Sequence, residues 1–317
     1  MTRGEGPTLK PAASTRTRVL YPVDWIVLGY CLLMTAILVL LGRPANQYVD
    51  EIIFYLGMGC LTALIVYYLD ESVGGWRAFL RVIYPVIMFT FFYRTTEGQM
   101  FLLFDRFFDA QVVSLEQSLL GDSPTLYIDR QLLEVWVTEL LSFCYFCYYL
   151  IVPGFLFPVF VRKDYRIIRQ YLAAASLTFF VSYLLFWLYP VEGPRWFLAD
   201  QYTNTINGPV FRPLVEFVID KAAIHGGAMP SSHTGVALVT MLFCFRYYRQ
   251  AGWILLPIVT GLALGAIWGR FHYVSDVILG AVIGILAVWF VWKYLDRSVR
   301  EGPADKTLKE MRTQDVS

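Results

Sequence analysis

Apolar residues run along this chain in long blocks rather than in stripes. Eight blocks stand out, at roughly 24–42, 50–69, 76–95, 132–160, 168–190, 232–248, 252–271 and 273–294. A helix of about 20 apolar residues crosses a bilayer, where every backbone polar group must be satisfied within the segment. The pattern predicts an all-α polytopic membrane helix bundle with about eight transmembrane helices. The third block is the least clean, since Arg77 and Arg81 cut into it. The fourth carries Pro153 and Pro158 and is expected to kink near its end.

Basic residues give the orientation. Arg162, Lys163, Arg166 and Arg169 separate the fourth and fifth blocks. Arg246 and Arg249 separate the sixth and seventh, and Lys293, Arg297 and Arg300 follow the eighth. Short loops rich in Lys and Arg stay cytoplasmic. All three sites share a side with the N-terminus, so both termini are expected in the cytoplasm. The first block follows a polar stretch holding Arg3, Lys10, Arg16 and Arg18, with no small-x-small cleavage site after it. It reads as a retained signal anchor. The opposite face then holds three connections: Arg94–Arg130, Val191–Ser231 and the junction Arg270–Asp276. In the first, Val112, Leu115 and Leu119 recur at helical spacing, which predicts an interfacial amphipathic helix.

Composition sharpens this picture. Apolar residues make up 57% of the chain, aromatics 17% and charged residues only 16%, well below a soluble domain. The formal net charge of +1 leaves no footprint for a nucleic-acid partner. The cysteines Cys31, Cys60, Cys144, Cys147 and Cys244 all lie in apolar segments. Cys144 and Cys147 are one helical turn apart and read as small apolar residues, not as a redox or zinc pair. No metal-ligand cluster and no cofactor motif is visible.

The chain has three histidines. His272 precedes Asp276 by four residues, so a helix makes them neighbours on one face. A carboxylate beside an imidazole fixes its tautomer and frees the other ring nitrogen to attack an electrophile. The alternative is a pair that merely caps a helix. His233 follows Pro230, Ser231 and Ser232 at the start of the sixth block. That is a favoured helix start, and a helix N-terminus offers free N–H groups to an anion. The alternative is an ordinary cap beside an interfacial histidine. Arg195 at the outer end of the fifth block, and Arg270, can each hold phosphate oxygens or simply snorkel to lipid head groups. His225 reads as a solvated loop residue. Together, two histidines, an aspartate, two arginines and a Ser-Ser helix start map to one membrane face from three junctions. That is the inventory of phosphoryl transfer.

These motifs resemble the type-2 phosphatidic acid phosphatase superfamily. Pro230-Ser231-Ser232-His233 matches its Pro-Ser-x-His motif, and His272-Tyr273-Val274-Ser275-Asp276 its His-x-x-x-Asp motif. The resemblance covers roughly the third to eighth blocks. It divides the chain into a cytoplasmic tail (1–22), two added helices (23–72), a six-helix catalytic membrane core (73–297) and a disordered cytoplasmic tail (298–317). Two positions depart from the family pattern. The first motif is usually Lys-x6-Arg-Pro, but Leu188 holds the lysine position and Trp196 follows Arg195. An Arg212-Pro213 pair exists with Thr205 in its lysine position; Arg195 is preferred because it lies at a helix end. The third motif usually has arginine six residues before histidine, where Ala266 stands here. Arg270 lies one helical turn on and is expected to serve the same oxygen. These departures are similar to the inositol phosphorylceramide synthase branch.

The resemblance implies a metal-independent, cofactor-free enzyme working on the non-cytoplasmic face. Its substrate would be a lipid phosphate or phospholipid, with water or an alcohol or polyol as acceptor. His272 would be the nucleophile oriented by Asp276, and His233 the acid. Arg195, Arg270, Ser231 and Ser232 would hold the phosphoryl oxygens. The competing reading is a non-enzymatic lipid-binding protein or transporter. Glu139 inside the fourth block favours that view, because intramembrane carboxylates often mark pathways.

Overall fold

The computed structural model describes residues 19–42, 47–71 and 74–295. Most of the N-terminal tail and all of the expected disordered C-terminal tail lie outside them. Among the described residues the chain is helical throughout, in thirteen α-helices. They are α1 (Pro22–Leu41), α2 (Val49–Tyr68), α3 (Gly75–Thr96), α4 (Asp109–Leu120), α5 (Pro124–Gln131), α6 (Val135–Phe146) and α7 (Tyr148–Val161). They continue with α8 (Tyr165–Leu188), α9 (Pro194–Phe197), α10 (Phe211–Ala222), α11 (Ser232–Tyr247), α12 (Arg249–Trp268) and α13 (Val274–Phe290).

Seven helices are long and apolar enough to cross a membrane, which makes this a multi-pass integral membrane protein. They correspond to seven of the eight expected spans. The sixth block forms α11, which is shorter at 16 residues. At 1.5 Å per residue it still extends about 24 Å. It runs from the Ser231 end of the bundle to Arg246, between α8, α12 and α13. The long fourth span breaks at Cys147, between α6 and α7, six residues ahead of Pro153 and earlier than the kink expected near its end. A proline displaces the carbonyl four residues earlier, so the disturbance falls upstream of the ring. The break turns Tyr148 and Tyr149 into the bundle interior.

α8 is the hub. In its apolar window 72% of residues are buried, against 11% for α2 at the rim. Its small residues Ala173, Ala174, Ala175 and Ser176 are buried and let neighbours approach closely. α1, α2 and α3 pack on one side of it through Tyr30, Tyr55, Phe92 and Phe180. At the end that carries Arg162 and Arg166, two buried ion pairs tie this N-terminal group down. Arg81 grips Asp24, with Nη1 to Oδ1 at 2.8 Å, and Tyr84 donates to the same carboxylate. Arg169 pairs with Glu71, which also accepts from the Tyr21 hydroxyl at 2.8 Å.

At the other end, glycine decides how α11 and α13 meet. A Cβ on Gly280 would collide with the Ser231 carbonyl. One on Gly284 would lie 2.6 Å from the Gly235 carbonyl. Backbone contact this close fixes the start of α11 against the start of α13. The Ser231 N–H donates to the Asp276 carbonyl at 2.9 Å, which sets the register.

The expected amphipathic helix of the Arg94–Arg130 connection is α4, with its faces reversed from a soluble helix. Asp109, Val112 and Glu116 form the buried face. Leu115 and Leu119 point outward, 50% and 73% exposed. Apolar-out packing suits a membrane boundary, and it turns two carboxylates toward the bundle.

Candidate active site

A cavity of about 470 Å³ opens at the end of the bundle opposite the paired charges. Its walls come from α3, α6, α7, α8, α10, α11 and the 270–273 junction. His233, His272, Ser232 and Arg195 all line it. The two imidazole centroids lie 6.5 Å apart, with their planes tilted by 50°.

His272 sits on the five-residue link between α12 and α13. Its Nδ1 lies 2.8 Å from the Ala228 carbonyl, which can only accept. The proton therefore belongs on Nδ1, and the lone pair on Nε2. The ring is buried, and burial pushes its pKa down to about 4, against the upward pull of that carbonyl. The imidazole is thus neutral and nucleophilic at physiological pH. The hydrogen bond expected from Asp276 is made by Ala228 instead. Asp276 Oδ2 stands 3.5 Å from Nδ1 and accepts the Tyr273 N–H at 2.8 Å. It caps α13 directly, and steadies His272 only through the backbone.

His233 is in the first turn of α11, walled by aromatic rings. Its centroid is 4.3 Å from that of Tyr148 and 6.0 Å from that of Tyr145. Ser232 lines the cavity beside it. Ser231 does not reach the cavity. It is fully buried, and its hydroxyl caps α11 by meeting the Thr234 N–H at 3.5 Å and the Thr234 hydroxyl at 3.0 Å.

Arg195 extends from the short helix α9. It pairs with Glu216 at 2.6 Å and Asp220 at 3.2 Å, both on α10 and both partly exposed. Arg195 nevertheless lines the cavity. Arg212 shares Glu216 and lies over the Phe271 ring, 5.2 Å from the centroid. It is absent from the cavity wall.

Arg270 is not brought to the cavity. Its Nη2 donates to Asp129 at 2.5 Å and to the Asn204 carbonyl at 2.7 Å, and its Cζ sits 3.8 Å from the Tyr202 ring centroid. The expected equivalence to position 266 fails for a backbone reason. α12 ends at Trp268, and Arg270 has φ of +62°. A left-handed residue leaves the helical track, so its side chain departs in another direction.

Sequence reasoning missed several contributors. Arg94 and Lys221 also line the cavity and add positive charge. Ala228 matters through its carbonyl, which leaves no mark in residue identity. Asp129 was one acidic residue among many, and here it holds Arg270, Thr203 and Asn204. Glu116 accepts from the Ser275 N–H at 2.8 Å and so also caps α13. His225 pairs with Glu192 at 2.6 Å, outside the cavity wall that Glu192 forms. Glu139 has a structural role: it accepts the N–H groups of Val210, Phe211 and Arg212 and caps α10. This removes the support it lent to a transport pathway.

Residues 110–290, more than half of the chain, match the model of the PAP2 superfamily. The chain belongs to that superfamily. A stretch of 95 residues is 30% identical to the bacitracin transport permease protein BcrC of Bacillus licheniformis, covering 30% of this chain and 44% of that protein. No solved structure matches the chain. α1, α2 and α3 lie outside the matched region, although α3 contributes Tyr93 and Arg94 to the cavity.

Proposed function

We propose that this protein cleaves a lipid phosphoester through a phosphohistidine on His272, at the non-cytoplasmic face. The observation that carries the reading is that two imidazoles, with centroids 6.5 Å apart, line one cavity together with Arg94, Arg195 and Lys221. Rings this close can both reach one phosphoryl group, one by a near-attack contact of about 3–3.5 Å to phosphorus and the other by a hydrogen bond of about 2.8 Å to an oxygen bonded to it. Nε2 of His272 attacks phosphorus, and the bond to the leaving alkoxide breaks. His233 donates its proton to that alkoxide. Arg195, the Ser232 hydroxyl and the free N–H groups at the start of α11 hold the equatorial oxygens. Water or an alcohol, deprotonated by His233, then attacks phosphorus and breaks the P–N bond. Neutral His272 is restored.

The rest of the cavity supports a lipid substrate. Phe89, Phe179, Tyr149 and Tyr183 line it between α3, α7 and α8, a wall suited to an apolar chain. The motif resemblance to inositol phosphorylceramide synthases supports an alcohol or polyol acceptor beside water. The decisive experiment supplies radiolabelled lipid phosphate to purified protein and quenches in alkali, which preserves phosphohistidine. Label is expected on the wild type and absent from His272→Ala. No label in either would overturn the mechanism. Repeating the assay with inositol or glycerol, and looking for a new phosphodiester, separates transfer from hydrolysis.

A second reading is lipid binding or transport without chemistry, because the BcrC relative carries the name of a transport permease. Phosphate release that requires His272 would exclude it.

A further inference from the structure

We infer that Asp109 is a positioning residue that closes a ring of hydrogen bonds around the catalytic cavity and so aligns His272 with Arg195. This rests on the phosphohistidine reading above. Asp109 is the first residue of α4 and is completely buried. Its Oδ2 accepts the Glu192 N–H at 2.8 Å. Its Oδ1 accepts the Gly193 N–H at 2.8 Å and the Tyr273 hydroxyl at 2.9 Å. All three partners are neutral donors, and each belongs to a segment that carries a site residue. Glu192 and Gly193 lead directly into Arg195. Tyr273 follows His272.

The ring can be traced atom by atom. From Asp109 it passes to the Glu192 N–H and along the backbone to the Val191 carbonyl. That carbonyl accepts the Ala228 N–H at 3.0 Å. The Ala228 carbonyl faces Nδ1 of His272 at 2.8 Å. From His272 the chain continues to Tyr273, whose phenol returns to Asp109. A second tie reinforces the first arc, since the Phe108 N–H donates to the Pro190 carbonyl at 2.8 Å and the Phe108 ring stacks on Tyr189 at 4.7 Å. Three sequence-distant segments thus share one anchor, and neither histidine touches it. Gly193, with φ of +104° and Ala228 Cβ at 3.1 Å from where its own Cβ would be, lets the loop come close enough.

Only a carboxylate fits this position. It offers acceptors on both oxygens and no donor. An asparagine would turn an N–H toward one of three donors and leave that donor unpartnered in a buried site. The Tyr273 phenol stays protonated as a donor, because burial and the adjacent Asp109 both push its pKa up.

The test uses Tyr273→Phe, Asp109→Asn and the double variant, with His272→Ala in parallel, in the full-length protein. Turnover of dioctanoyl phosphatidic acid and binding of orthovanadate, a phosphoryl transition-state mimic, are read separately. Tyr273→Phe keeps the ring and loses one hydrogen bond. It is expected to lower kcat roughly tenfold with KM nearly unchanged, and to weaken vanadate binding by a similar factor. Asp109→Asn also frees the loop carrying Arg195, so it should lower kcat by roughly 10- to 100-fold and raise KM. In the Asp109→Asn background, Tyr273→Phe should add almost nothing. Wild-type kcat and vanadate affinity in Tyr273→Phe would overturn the proposal, as would fully multiplicative losses in the double variant. If Asp109→Asn does not fold, Tyr273→Phe alone decides. Turnover surviving in His272→Ala would instead sink the nucleophile assignment, and the positioning role with it.

Discussion

At the end of the bundle bearing Arg162 and Arg166, buried carboxylates meet cations: Asp24 lies on Arg81 and Glu71 on Arg169. At the site end, Asp109, Glu116 and Glu139 are met by backbone N–H groups and hydroxyls. The same residue type therefore does two different things. A carboxylate bound to arginine cancels it and leaves nothing to hold an anion. A carboxylate bound to neutral donors shapes the backbone without drawing cations away from the cavity. Arg195 has acidic neighbours as well, but they are partly solvated and Arg195 still lines the cavity. At the site end Asp129 does take an arginine, Arg270, but that pair lies off the cavity, and Arg195 keeps its place on the wall.

The sharpest way to break this contrast is His272→Ala. Loss of a covalent nucleophile should cut turnover by on the order of 10³-fold or more, with the chain still inserted in membranes. Asp24→Ala should do the opposite. It leaves Arg81 buried without its partner, which costs roughly 3–5 kcal/mol of stability, visible as a lower unfolding temperature in detergent. The KM of the surviving protein should not change. An altered KM would mean that the two ends are coupled.

Arg195→Lys keeps the charge and loses the planar fork, so kcat/KM should fall roughly 10- to 100-fold without loss of stability. The pH profile comes next in size. A nucleophile with its pKa lowered to about 4 is neutral above that value and becomes protonated below it. The acid limb of kcat/KM should therefore fall near pH 4 rather than near the usual histidine value of about 6.5. The alkaline limb is expected in kcat, where the bound phosphate anion beside His233 favours its protonated form; loss of that proton gives a bell. A rate flat from about pH 4 to 9 would contradict the acid–base pairing. The smallest effect is expected of Arg270→Lys. Its side chain serves Asp129 and Tyr202, so kcat/KM should change by no more than a few-fold.

The comparison also shows where residue identity stops being informative. Asp24 and Glu139 both look like carboxylates stranded near apolar runs. One proves to be half of an ion pair and the other a helix cap for α10. Glu139 invited a transport interpretation because its partners, three backbone N–H groups about 70 positions away, have no signature of their own. The same holds for Ala228, whose carbonyl takes the hydrogen bond expected of Asp276. Arg270 misled for a local reason. A helical count from Ala266 assumes that the helix continues, and a left-handed residue ends it.

What the sequence determined by itself was everything carried by composition and short-range spacing. Apolar runs fix membrane helices because a bilayer tolerates no unsatisfied backbone, and His233 and His272 stand out because their neighbours in the chain mark helix starts. What only the tertiary structure decided was which groups converge. Convergence depends on the close approach of α11 and α13 at Gly280 and Gly284, on the reversed faces of α4, and on backbone carbonyls and N–H groups that every residue possesses and no sequence distinguishes.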